Sequence, residues 1–163
     1  MGSVRQGALA LARDPLGTGR MHRAEHAADA ADLLAALDRL RDTHRRIGDT
    51  IANLEGEGRR ALVATRRELA DGMAAICARA EAVLPVMFDG EVLGEFRRRF
   101  SAMRSAAALH QANWPAVSVT DDIPAYASSA AQVREAHRSF DQWVRDTLGQ
   151  GASSGGPLSA RGP

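Results

Sequence analysis

The stretch LLAALDRLRDTHRRIGDTIANLEGEG, residues 33–58, decides how the chain folds. Leu33, Leu37, Leu40, Ile47, Ile51 and Leu54 recur in alternating steps of four and three, with His44 on the step between Leu40 and Ile47. That spacing returns a residue to the same side of an α-helix on every turn and draws a narrow inner stripe. The stretch stops at EGEG, where two glycines favour release of the helix. A narrow stripe on a long helix suits a bundle, in which each helix hides one seam against its neighbours.

The same stepping runs through the rest of the chain. The first helix spans about Arg23 to Leu54, its seam reaching back through Ala30 to His26. The second, about Arg59 to Leu84, carries Leu62, Leu69, Met73, Ile76, Ala80 and Val83, with Arg66 at its one polar step, and Pro85 is expected to end it. The third starts at Asp89, a side chain suited to an N-cap. Its seam is Leu93, Phe96, Phe100, Met103, Ala107, His110 and Trp114, and Pro115 disfavours helical geometry at Trp114. The fourth opens after TDDIP, with Asp122 as cap and Pro124 in the first turn, and runs through Tyr126, Ala130, Val133, His137, Phe140 and Val144 to Gly149. The links are short, so sequential helices are antiparallel. The expected fold is all-α: an antiparallel up-down four-helix bundle over residues 22–148. A disordered N-terminal arm (1–21) and a flexible Gly/Ser/Pro C-terminal tail (149–163) flank it. Met21 is an alternative start, which would make residues 1–20 an extension.

Composition agrees with helices. Alanine supplies 32 of 163 residues and β-branched residues are sparse, which favours helix over sheet. Six of the seven aromatic residues fall between Phe96 and Trp143, so the first half must pack on alanine or borrow surface from a partner. The net charge is +1, too small for the field that holds nucleic acid, so no nucleic-acid partner is expected. All 21 basic residues are arginine, which reads as the codon usage of a GC-rich genome, and the run Arg97-Arg98-Arg99 reads as a solvated face. One cysteine, Cys77, excludes an intramolecular disulfide and fits a reducing compartment. No run of 18 apolar residues exists, so no membrane span is expected, and a cytoplasmic location follows as the default.

Four of the five histidines (His26, His44, His110 and His137) lie on the seams. Counting down from the helix ends places His44 about 15 Å and His137 about 19 Å below one end of the bundle. The two would share a layer near Arg66 and Glu68. His110 would sit roughly 10 Å higher, beside Tyr126 and under a lid made by Trp114, whose indole N–H would seek a loop carbonyl. Three readings follow. The rings are neutral core residues satisfied by hydrogen bonds. Alternatively, His44 and His137 hold a cofactor, either haem iron between facing imidazoles or a metal ion with His110 and Glu68 as further ligands. Against this, the seam carries no Glu or Asp. The third reading is phosphotransfer. His22 and His26, four apart at a helix start, would bind metal only adventitiously.

The third reading rests on THRRIGDTIANLEG, residues 43–56, which loosely resembles the active helix of histidine phosphotransfer domains. Gly48 follows His44 by four residues, and Ala52-Asn53-Leu54 is similar to the end of that motif, one residue displaced. Arg46 and Ile47 stand where those domains usually carry an apolar residue and a lysine. The likeness covers about a tenth of the chain, and it implies a four-helix bundle phosphorylated on His44. No phosphate-binding glycine loop, Cys-x-x-Cys pair or nucleophile elbow is present, and Ser128-Ser129 sit in a helix with no histidine in obvious reach. The expected function is therefore non-enzymatic: a bundle acting through a protein partner or as a homo-oligomer, with metal or haem binding and phosphotransfer as the alternatives.

Overall fold

The computed structural model describes residues 15–51, 54 and 57–153. It is all-α: α1 (Pro15–Ile51), α2 (Gly58–Met87), α3 (Gly90–Asn113) and α4 (Ile123–Ser153), with no strand among the described residues. Residues 15–21, expected in the arm, are the first turns of α1, and α4 runs past Gly149 to Ser153. The rest of the expected arm and tail, and residues 55–56 of EGEG, lie outside the described residues.

Cross-helix contacts give the topology. Arg46 of α1 pairs with Glu68 of α2, and Leu40 lies 3.2 Å from the Cβ position of Gly72. Those partners run in opposite senses. Asp38 meets Arg145 and His44 meets His137, so α1 and α4 are antiparallel too. Phe96 and Phe100 meet Phe140 while His110 meets Tyr126, which sets α3 against α4 in the same way. Each helix packs on its neighbours in sequence and α4 returns to α1, the most sparsely packed of the four seams. This is an antiparallel up-down four-helix bundle. The end formed by the close of α1 and α3 and the start of α2 and α4 is called the upper end below.

Local signals set the helix ends. The Asp89 carboxylate accepts the N–H groups of Glu91 and Val92 at 3.2 Å, satisfying orphan donors of the first turn of α3. Asp122 accepts from Ala125 N at 3.0 Å and caps α4. Pro85 does not end α2, which continues to Met87. Val83 and Leu84 are buried while Pro85 faces solvent, so water can take the carbonyl of Glu81 that the proline leaves unbonded. At Trp114 the expectation holds to a residue, since α3 closes at Asn113 and the Trp114 N–H caps the His110 carbonyl.

The core falls into two parts. The larger runs from Leu33 and Leu37 through Ile76 and Met103 to Val144, centred on Phe96, Phe100 and Phe140, whose rings lie 5.6–5.8 Å apart. The smaller closes the upper end, where Leu54, Leu62, Val119 and Tyr126 are buried under Trp114. Outside, the arginine run is neutralised at the surface: Arg97 pairs with Glu81, and Arg98 and Arg99 pair with Glu95. Arg99 also lies over the Trp143 ring at 5.4 Å, a cation–π contact.

Candidate functional site

Between the two apolar clusters the seams turn polar. His44 of α1, Arg66 of α2, His110 of α3 and His137 of α4 follow from the same three-and-four stepping that builds the core, so each points inward from its own helix. The His44 and His137 rings meet edge to face with centroids 4.0 Å apart. His110 is also buried; its Nδ1 lies 2.8 Å from the Ser129 hydroxyl, and its ring packs on Tyr126 at 5.0 Å. Ser129 is thus within reach of a histidine, contrary to the sequence expectation, because one turn of α4 below Tyr126 faces α3. Trp114 packs at right angles on Tyr126 as the expected lid, but its indole makes no hydrogen bond among the described residues.

Glu68 does not join this layer. It lies on the exposed side of α2, paired with Arg46, and two residues along a helix is a turn of about 200° away from Arg66. The structure therefore brings His44, His137 and His110 together and leaves Glu68 outside. Among the described residues no group of three or more His, Cys, Asp or Glu side chains is arranged to hold a metal ion. Two imidazoles sharing one metal at a bond length of about 2.0–2.1 Å hold their ring centroids roughly 5–6 Å apart, wider than the 4.0 Å seen here. Chelation by this pair, or insertion of haem iron between the rings, requires the rings to part.

Burial and neighbouring charge keep the histidines neutral. Desolvation, then the positive charge of Arg134 and electrostatic coupling to His110, lowers the pKa of His44 from 6.5 to about 4. Desolvation and His44 lower His137 to about 3. His110 is lowered by burial and by Arg66 and Arg134. The hydrogen-bond ledger of the layer does not close. Nε2 of His44, both ring nitrogens of His137 and one terminal nitrogen of Arg66 are buried without a partner. The only other such atom among the described residues is Oδ1 of Asp141, one turn along α4 from His137.

The four nitrogens border two adjoining spaces. A small inner cavity of about 40 Å³ is bounded by His44, Arg66, His110, Tyr126 and Arg134, with Gly48 leaving open room on the α1 side. A groove of about 750 Å³ follows the sparse α1–α4 seam, with Leu37, Leu40 and Phe140 on its floor and His44, Arg134 and His137 on its walls. His44 and Arg134 belong to both. Sequence reasoning placed the histidine layer but did not single out Arg134, which follows Val133 and reads as an ordinary exposed position; only the fold shows that it borders both spaces.

Comparison with known proteins returns no matching family model, no matching curated protein and no matching solved structure.

Proposed function

We propose that the protein is a non-enzymatic ligand-binding bundle that takes a small molecule or ion at the histidine layer, through the α1–α4 groove. The observation that carries this reading is the set of four buried, unpartnered nitrogens on His44, His137 and Arg66, beside the inner cavity and the groove. A buried polar atom left unsatisfied costs about 1–3 kcal/mol, and leucine at these seam positions would avoid that cost. A ligand that supplies the missing hydrogen bonds gives the polar layer a purpose that core packing does not. The same burial weighs against phosphotransfer, because Nε2 of His44 is enclosed and a phosphoryl-accepting nitrogen must meet its donor.

The test is a thermal-melting screen of divalent cations, haem, organic acids, phosphates and amines. At least one class should stabilise the protein and lose its effect in the H44L/H137L variant. If no class does so, the ligand-binding reading falls.

A second reading, self-association, is favoured by a different observation. Of the five large apolar residues that are more than half exposed among the described residues, four (Val63, Leu109, Val117 and Ile123) belong to the upper half of the bundle and only Val86 lies at the other end. Sedimentation velocity across a hundredfold concentration range should give a dimer that the L109S/V117S variant loses. A monomer throughout would remove this reading without touching the first.

A further inference from the structure

The charges around the histidine layer are unevenly paired. Arg41 pairs with Asp38, Arg45 with Asp42 and Arg138 with Glu135, so the outer rim of the groove is balanced. Arg66 and Arg134, which border the inner cavity, have neither an ion pair nor a hydrogen-bond partner among the described residues. Among the described residues no carboxylate borders that cavity. The one carboxylate lining the groove among the described residues, Asp141, is held through Oδ2 by Arg145 at 2.9 Å, while its Oδ1 is buried without a partner. Two unpaired guanidinium groups in a partly enclosed site repel a cation and attract an anion, and the attraction is strengthened where water is excluded.

The shapes of the two spaces narrow the choice further. The inner cavity has room for only about three or four water-sized bodies, taking about 10–15 Å³ for each. That suits the paired oxygens of a carboxylate, which a guanidinium fork recognises. The groove is far larger, and its floor of Leu37, Leu40 and Phe140 is apolar. A ligand anchored at the cavity would lay an apolar body along that floor.

We propose that the ligand is an organic carboxylate, its head held by Arg66, Arg134 and the His44 imidazole, and its apolar body lying in the α1–α4 groove. This inference rests on the ligand-binding reading above and adds the chemical class. It carries a proton-linked consequence. The groups facing His44 are Arg41 and Arg45 on its own helix, Arg66 on α2, His110 on α3, and Arg134, Arg138, His137 and Asp141 on α4. Nearly all are cationic or neutral, and burial first, then the positive charge of Arg134, keeps His44 unprotonated. A bound carboxylate offsets that charge, so binding draws a proton onto His44 and tightens as the pH falls from 8 to 6.

The test uses titration calorimetry of the full chain with octanoate, octan-1-ol, octylammonium and inorganic phosphate at pH 8 and pH 6. Octanoate should bind, more tightly at pH 6, and octanol should bind at least about tenfold more weakly, since hydrogen bonds to charged groups contribute about 1.5–3 kcal/mol. R66Q and R134Q should each weaken octanoate about tenfold. Arg134 is exposed, so R134Q keeps the test decisive if R66Q perturbs folding. In H44L the residual octanoate affinity should no longer depend on pH over this range. Equal binding of octanol and octanoate, indifferent to both arginine variants, would overturn the carboxylate assignment while leaving a ligand site in place. Octylammonium or phosphate binding in preference to octanoate would also overturn it. Binding by none of the four would reject the carboxylate, and the broader melting screen then decides whether the ligand site itself survives.

Discussion

Acidifying the solution from pH 7 to pH 5 should destabilise the bundle by about 4 kcal/mol through His44 and His137 alone. In the unfolded chain both rings titrate near 6.5, whereas in the bundle they resist protonation down to about 4 and about 3. Between those limits the unfolded state binds more protons than the folded state, so stability rises with pH. It is fully present above 6.5 and is lost as the pH falls through 6.5 toward the folded values. At pH 5 each ring has given up about 2 kcal/mol, one pKa unit being worth about 1.4 kcal/mol. Total stabilities of single domains are about 5–15 kcal/mol, so the loss is large. Urea unfolding followed by far-UV circular dichroism at pH 7, 6 and 5 measures it directly. The H44L/H137L variant should lose this part of the pH dependence. It should also be more stable at pH 7 by about 1–3 kcal/mol, because three unpartnered ring nitrogens are gone. A variant that keeps the wild-type pH dependence would show that the two rings titrate as exposed imidazoles, and would refute the buried polar layer.

Other parts of the fold make independent predictions. Asp89→Ala removes the carboxylate that receives two N–H groups at the start of α3, and should cost about 1 kcal/mol in the same urea assay. Asp89→Asn, which keeps an acceptor there, should recover most of that loss. Phe140→Ala opens a hole where three aromatic rings meet; a loss of about 3–5 kcal/mol is expected, with a urea midpoint well below that of the cap variant.

The positions that read clearly in the sequence were those where one periodic signal decided the outcome. Leu33, Leu37, Leu62, Ile76, Phe96 and Phe140 are buried where the stepping puts them. Counting residues down from the helix ends was enough to bring His44 and His137 to one level, because α-helical rise is constant. Pro85 was misread because a proline at the last turn loses its hydrogen bond on the solvent side, where the loss is cheap. The start of α1 at Pro15 carried a helix-start residue, but the glycines that follow it masked the signal. Glu68 was grouped with the histidines by depth alone, and depth says nothing about which way around the helix a side chain points. Arg134 and the burial of Val119 in the α3–α4 link depend on contacts between distant segments, which no local pattern encodes.

The division of the core has a dynamic consequence. Apolar contact is the glue that makes a bundle unfold as one unit, and here it narrows to Ile47, which packs on both clusters, beside a layer whose hydrogen bonds the protein does not complete. The upper cluster is small, built chiefly on Leu54, Leu62, Val119 and Tyr126, and it is joined to the larger one across that weak layer. Cooperative units of unequal stability open separately, the smaller at lower free energy. The helix termini above the histidines should therefore open at lower free energy than the phenylalanine centre below, and a molecule that completed the layer would fuse the two units into one.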